Sequence, residues 1–350
     1  MKSHTIGVGL ASFGMSGRVF HAPLLGNHAH FRIRRVLERS KDEARRVLPG
    51  VPVARSFDEL LNDGSVHLVV VNTPDHTHYA LAKQSLEAGK HVVVEKPFTQ
   101  TAEQARELIA LAREVKRVLT VFQNRRWDGD FLTVQKIMRV GMLGRLVDFG
   151  AHWDRYRNFI QPDTWKERAD TGASLLHNLG PHLIDQALVL FGLPEAVTAH
   201  LRIVRTGGSV TDWFHLRLHY PAVGVTLSSS YLARDPSPRF VLHGTLGSYV
   251  KYGIDPQEGA LAAGGVPGSG GWGTEPEESW GTLSLEGIPE RRNVETLAGN
   301  YMAFYDNLYD CITGSGELAV KPEEAASVIR IIEAAQQSHA ERRTILLPRP

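Results

Sequence analysis

Five short apolar runs, at residues 5–11, 32–37, 68–72, 91–95 and 118–123, alternate with stretches of helical pattern through the first third of the chain. Several are apolar almost without interruption, as strands buried on both faces are, so the alternation predicts βαβ units around a parallel sheet. The clearest intervening helix starts at Thr101, whose hydroxyl can cap while Gln104 reaches back, and it carries Ala105, Leu108, Ile109, Ala112 and Val115 on one face. Sheets of this kind take their ligands at the carboxyl ends of the strands.

The texture changes after residue 124. Helical patterns at 131–140 and 181–191 are followed by strand-like runs at 196–205, 212–220, 224–231, 240–243 and 247–252, with the short length and turn punctuation of an antiparallel sheet. The expected architecture is α/β: an N-terminal Rossmann dinucleotide-binding domain over 1–124, and an α+β domain over 125–350 with a large, mainly antiparallel open sheet. A last helix near 322–335 is placed to pack back on the first domain. The stretch GALAAGGVPGSGGWG at 259–273 has too many glycines for a core segment and reads as a mobile surface connection, or as a lid or subunit contact through Trp272.

Composition narrows the function classes. Lys+Arg 39 against Asp+Glu 38 leaves a net charge of +1 with no block of either sign, so a nucleic-acid partner is not expected and a small-molecule substrate is. The single cysteine, Cys311, cannot form an internal disulfide, which fits a reducing, cytoplasmic setting. No apolar run approaches the ~18 residues of a membrane span, and the N-terminus lacks a cleavable A-x-A pattern and reads as a first strand, so no membrane association is expected.

The first strand runs into Ser12-Phe13-Gly14-Met15-Ser16-Gly17, a G-x-G-x-x-G with its first glycine replaced by serine. Its middle glycine would let backbone approach a pyrophosphate, and its last would allow close helix–strand packing. Gly7 and Gly9 lie inside the strand and are decoys; a merely tight turn is the alternative. At the end of the second strand Glu38 stands 26 residues after Ser12, near the offset of a ribose contact. Glu38 would accept from ribose hydroxyls and favour NAD, whereas Arg39 and Ser40 would bind a 2′-phosphate and favour NADP. The cofactor is NAD(P), with the two left open.

Two further stretches, VVVNTPDHTHYA at 69–80 and GKHVVVEKPFT at 89–99, together with QNRRWDGDFLT at 123–133, NLGPHLIDQALVLFG at 178–192 and YVKYGIDPQE at 249–258, resemble the Gfo/Idh/MocA family of NAD(P)-dependent sugar and polyol oxidoreductases. The resemblance spans nearly the whole chain and is closest to the branch containing the NADP-dependent scyllo-inositol dehydrogenases. It implies that Thr73, Pro74 and His78 line the cofactor near its ribose and diphosphate, that Glu95 contacts the nicotinamide ribose, that Asn124 belongs to the cofactor side, and that Lys96 faces the substrate. The family's D-x-x-x-H falls on Asn178 and His182. Asn178 can hold a hydroxyl but cannot take a proton, so a relay needing a carboxylate there must differ.

Oxidising a secondary alcohol needs a hydride acceptor and a group to take the hydroxyl proton. His182 is the expected base, Lys96 the stabiliser of alkoxide charge, and Asn178 a neutral partner that shares a helix face with His182 if the segment is continuous. Arg126, Tyr156 and Arg157 are candidate donors to a polyol or sugar. Histidine pairs such as His28/His30 and His76/His78 lack zinc-type spacing with cysteine or carboxylate, so no metal is expected. A homodimer or homotetramer is implied by resemblance only. The competing readings are a dinucleotide-binding regulator without catalysis and an NAD-dependent glycosidase on the same fold.

Overall fold

The computed structural model describes residues 5–162, 164–168 and 173–348. The strands in chain order are β1 (Ile6–Leu10), β2 (Phe31–Leu37), β3 (Val53–Ala54), β4 (Leu68–Val71), β5 (His91–Val94), β6 (Leu119–Val121), β7 (Leu146–His152), β8 (Ala196–Arg202), β9 (Trp213–His219), β10 (Gly224–Ser230), β11 (Phe240–Gly244), β12 (Gly247–Lys251), β13 (Gly281–Leu285), β14 (Arg292–Val294) and β15 (Ile345–Leu346). The helices are α1 (Ala22–Gly26), α2 (Glu43–Val47), α3 (Phe57–Leu61), α4 (His78–Glu87), α5 (Ala102–Glu114), α6 (Gly129–Arg139), α7 (Leu175–Asn178), α8 (Gly180–Phe191), α9 (Gln257–Ala262), α10 (Met302–Thr313) and α11 (Pro322–Glu341).

They form two compact units. The first runs to Trp127 and also takes in Pro256–Trp272 and Asn300–Ala326; the second holds Asp128–Asp255, Gly273–Gly299 and the chain from Ser327 onward. This differs from a single division at residue 124: two later segments return to the first unit, and the first turns of α11 belong there.

The first unit carries a six-stranded sheet of order β3-β2-β1-β4-β5-β6, parallel throughout. The apolar runs become its centre: all side chains from Leu68 to Val71 and from Val92 to Val94 are fully buried. Reversal of strand order between β1 and β4 opens a crevice at their carboxyl ends. Gly7 is there for packing, since a Cβ on it would lie 1.8 Å from the Ser65 carbonyl oxygen. At α5 the Thr101 hydroxyl accepts from the Gln104 amide at 3.2 Å, but the Gln104 side chain reaches the amide of Gln100, one residue before the cap.

The glycine-rich stretch departs from expectation. Its start is helix α9, Leu261 is buried, and the Trp272 indole donates to Gln257 Oε1 at 3.1 Å. Gln257 in turn donates to the Trp127 carbonyl at 3.1 Å and accepts the Tyr301 amide at 2.8 Å, a buried amide that fastens three chain segments into one unit. A side chain just before the stretch, bonded to distant segments, supplies the order that composition alone denies.

The second unit is built on a nine-stranded sheet of order β14-β13-β12-β11-β7-β10-β9-β8-β15, antiparallel except where β10 runs parallel to β7. Alternation of buried and open positions, strict along β9 and β10 and holding along β8 from Val197, shows one covered face and one polar face. Among the described residues no helix is long and apolar enough to cross a membrane.

Candidate active site

Ser12 to Gly17 leave the carboxyl end of β1 as a turn in which the Ser12 hydroxyl accepts the Gly14 amide at 3.1 Å. A Cβ on Gly17 would sit 2.7 Å from the Ser12 carbonyl and 2.8 Å from Asn72 Nδ2, so only glycine lets the helix start here. On Gly14 the nearest atom would be Ser12 Oγ at 3.5 Å; Gly14 and Met15 face solvent while Phe13 is buried. Asn72, at the end of β4, donates to the Ser12 carbonyl at 2.9 Å, and its Oδ1 is buried with no hydrogen-bond partner.

The end of β5 is the most connected point of the first unit. Glu95 Oε1 accepts from the Ser16 hydroxyl and faces His21 Nε2 at 3.0 Å, and Glu95 Oε2 accepts the Lys96 amide at 3.1 Å. Burial opposes ionisation, yet His21 and Ser16, with the Lys96 charge, hold the carboxyl at about 2. The Lys96–Pro97 peptide is cis. Ser16, Glu95 and Lys96 are therefore brought together, as the motifs suggest.

His78 is different. Its ring is 1% exposed, with Nδ1 2.8 Å from the Pro97 carbonyl and Nε2 3.0 Å from the Thr73 carbonyl. Burial pushes its pKa down despite these two acceptors. Each nitrogen lies against a backbone carbonyl and the neutral ring donates to one of them, so His78 is packed between the Thr73 and Pro97 turns rather than lining a ligand. Thr73 pairs its hydroxyl with Thr77 at 2.6 Å, next to Pro74.

At the end of β2 the competition between Glu38 and its neighbours has a structural outcome. Glu38 is buried and its Oε2 accepts the Ala44 amide at 2.8 Å, capping α2. Arg39 and Ser40 are exposed, beside an open hollow lined by Lys41, Asp42, Glu43, Arg45 and Arg46. Arg126 also moves: it is 9% exposed, donates to the Ala319 carbonyl at 2.7 Å and pairs with Glu324 at 2.8 Å. Those partners make it a clamp within the first unit instead of a polyol donor. Asn124 is buried beside it in a 3₁₀ turn.

In the second unit, Asn178 and His182 do not lie on one continuous helix. Pro181 lacks the N–H that would bond the His177 carbonyl, and the chain breaks there: Asn178 ends α7 and His182 is the third residue of α8. Asn178 Nδ2 donates to the Tyr231 hydroxyl at 3.3 Å. The guanidinium of Arg157 lies 5.4 Å from the Tyr231 ring and that of Arg205 lies 4.9 Å from it. Tyr231 thus joins two of the expected residues, Asn178 and Arg157. Tyr156 is half exposed and bridges to Leu232. His182 is 5% exposed, its ring 5.4 Å from that of Trp153. Arg239 braces this packing by lying 5.0 Å from the Trp153 ring and donating to Gln186 Oε1 at 2.7 Å.

Comparison with known families finds two successive models along the chain. The NAD-binding Rossmann-fold model of the Gfo/Idh/MocA oxidoreductases covers residues 6–123, and the C-terminal alpha/beta domain model of the same oxidoreductases covers 136–347. The chain belongs to the Gfo/Idh/MocA oxidoreductase family. It is 41% identical over 353 residues to the oxidoreductase YdgJ of Escherichia coli, covering 99% of both chains. It is 39% identical over 348 residues to the scyllo-inositol 2-dehydrogenase (NADP(+)) IolW of Bacillus subtilis, covering 99% of this chain and 97% of that one. The solved structure of the Bacillus subtilis oxidoreductase yvaA superimposes with a TM-score of 0.95 at 38% identity, covering 99% of this chain and 100% of that one.

A Gfo/Idh/MocA oxidoreductase is an NAD(P)-dependent dehydrogenase, and this chain's cradle fits the dinucleotide: the tight Gly17 turn, the open Gly14 and the unpartnered Asn72 acceptor all lie at the β1/β4 crossing point. Among the described residues no cluster of metal-ligand type occurs. Sequence reasoning overlooks His21, Tyr231 and Tyr305. His21 carries a signal, a polar residue in register with Leu24 and Leu25 on a buried helix face; the two tyrosines carry none, because their partners lie far along the chain.

Proposed function

We propose that the protein transfers hydride between NADP(H) and a secondary alcohol or ketone of an inositol or related sugar. The carrying observation is the Glu95-Lys96-Pro97 turn at the end of β5 in a chain that matches an NADP-dependent scyllo-inositol dehydrogenase along its whole length. When bound, the nicotinamide accepts or supplies the hydride. Lys96 orients the substrate hydroxyl and stabilises its developing negative charge. The imidazole of His182 takes the hydroxyl proton in oxidation and returns it in reduction. Asn178, anchored on Tyr231, holds a neighbouring hydroxyl without exchanging a proton, and Arg157 with Tyr156 supplies further polar contacts.

The preference for NADP(H) rests on Glu38. Its carboxylate caps α2, which removes an anion from the ribose 2′ position and leaves Arg39 and Ser40 toward solvent. Titration with NADPH and NADH, followed by nicotinamide fluorescence, tests this, and a reductive screen with inosose and sugar carbonyls follows. Tighter NADPH binding with turnover supports the reading. Tighter NADH binding overturns the Glu38 argument, and tight binding without turnover across the panel favours a non-catalytic regulator. The proposal includes a homodimer or homotetramer, checked by light scattering against the 38.7 kDa chain mass.

A further inference from the structure

We propose that His21 is a positioning residue for Glu95: Tyr305, His21 and Ser16 form a directed hydrogen-bond chain that fixes the Glu95 carboxylate as an acceptor at the dinucleotide end of β5. The inference rests on the reading above only in assigning Glu95 to the dinucleotide; the chain itself is a matter of geometry.

The His21 side chain is fully buried, with Nε2 3.0 Å from Glu95 Oε1 and Nδ1 2.6 Å from the Tyr305 hydroxyl. An ionised carboxylate only accepts, so Nε2 carries the hydrogen, and a neutral ring then presents the Nδ1 lone pair to the Tyr305 O–H. Among the described residues the Tyr305 hydroxyl has no other hydrogen-bond partner, so its hydrogen has one place to go. Burial keeps that hydroxyl protonated, its pKa pushed well above the ordinary phenol value, and the Glu95 charge acts in the same direction. Phe122 packs against the imidazole with ring centres 4.5 Å apart and fixes its tilt.

The backbone explains why Ser16 and His21 reach the same oxygen. In an α-helix residues five apart diverge by about 140° around the axis. Here residues Gly17–His21 form a π-helical turn, closed by an Ala22 amide donating to the Gly17 carbonyl. That five-residue register stacks Ser16 over His21. The turn therefore ties the phosphate cradle to Glu95, and α10 supplies the last member of the chain through Tyr305, 284 residues from His21.

The charged and titratable groups facing Glu95 are His21, Lys96 and Tyr305, with His78 next in range. Without His21 the burial that already opposes ionisation goes unanswered on that side. The carboxyl then takes up a proton at higher pH and turns from acceptor to donor.

The test compares the wild type with His21→Leu, His21→Gln and Tyr305→Phe. NADP⁺ affinity is measured by calorimetry between pH 8 and 5, with melting temperatures alongside. The ratio of variant to wild-type affinity cancels ionisation of the ligand. Expected is a loss of tenfold or more for His21→Leu that grows as pH falls. His21→Gln, whose amide donates without titrating, should recover to within threefold, and Tyr305→Phe should fall between the two. A pH-independent ratio, or a Gln variant as weak as the Leu variant, overturns the proposal.

Should the Leu variant fail to fold, nitrogen NMR on wild-type His21 decides. A hydrogen on Nε2 with a bare Nδ1 upholds the hydrogen-bond chain, and a hydrogen on Nδ1 sinks it. Failure of the wild type to bind any dinucleotide would instead refute the proposed function, while the position of the His21 hydrogen would still uphold or sink the hydrogen-bond chain.

Discussion

The two units hold their chemistry in different ways. In the first, every candidate group lies where a parallel sheet puts it, at a strand's carboxyl end: Ser12 to Gly17 after β1, Asn72 after β4, Glu95 and Lys96 after β5. In the second, the sheet carries none of the proposed proton chemistry; Asn178 and His182 ride on two separate helices, held by side chains such as Trp153, Arg239 and Tyr231. Topology positions the first set and packing positions the second. Substitutions in the first unit should therefore separate function from stability, and those in the second should mix them.

The largest expected effect is that of Lys96→Ala. Loss of a group that stabilises developing alkoxide should lower kcat about 10³-fold. NADPH affinity should stay within threefold and the melting temperature should not move. Stopped-flow turnover beside a binding titration checks this, and a kcat within tenfold of wild type would remove Lys96 from the chemistry. Replacing His182 should reduce turnover by a similar order, roughly 10²–10⁴-fold, but with a measurable fall in stability, because its ring packs on Trp153.

Next comes Arg239→Met, which removes a side chain that packs on Trp153 behind His182 without itself exchanging a proton. Arg239 is 2% exposed and lies 3.6 Å from the fully buried Asp130. Removing one partner of a buried pair leaves the other charge without compensation, at about 3–5 kcal/mol. Urea unfolding should show that loss, and turnover should fall with it as α8 loosens. If stability falls while His182-dependent turnover is untouched, packing is not what positions the second set.

Legibility in the sequence follows the same division. The strands of the parallel sheet stand out because burial on both faces leaves long apolar runs; only the two-residue β3 is too short to register. β13, β14 and β15 are also hidden, being three edge-ward strands of two to five residues, too short to show a period. The helical pattern is legible from Pro181 on, but whether it extends back to Asn178 is not, because periodicity counts residues and not hydrogen bonds, and Pro181 removes one. The glycine-rich segment reads as loose because nothing local reveals that Gln257 will hold it. Glu38 and Arg126 are recognisable as polar groups near the right strand ends, but which partner a buried charge takes is settled by elements elsewhere, Ala44 in one case and Glu324 in the other.

Acid should expose the first unit's dependence on neutral histidines. His91 Nδ1 accepts the Val118 amide at 3.0 Å, and burial, with Arg117 and His67 nearby, lowers its pKa to about 4. A histidine with a depressed folded-state pKa contributes stability that is complete above its unfolded value near 6.5 and is lost as pH falls toward 4. Glu95, held at about 2, contributes above its unfolded value near 4.5 and is lost as pH falls through that lower range. Melting temperature should thus decline between pH 6.5 and 4, then again below. His91→Asn, which keeps an acceptor that does not titrate, should make the first decline shallower, His78 still contributing to it, and leave the second.

The smallest effect expected is at Thr101, and it tests the comparison where function is not involved. Its hydroxyl accepts the Gln104 amide at the start of a thirteen-residue helix that covers the parallel sheet. Thr101→Ala leaves that amide to water and should lower stability by about 1 kcal/mol. Because α5 carries no proposed catalytic group, kcat and the affinity for NADPH should both match the wild type. Paired urea and kinetic measurements decide it. A change in kcat would mean that the helical cover of the parallel sheet also tunes the strand ends, and the separation between stability and chemistry in the first unit would fail at its simplest point.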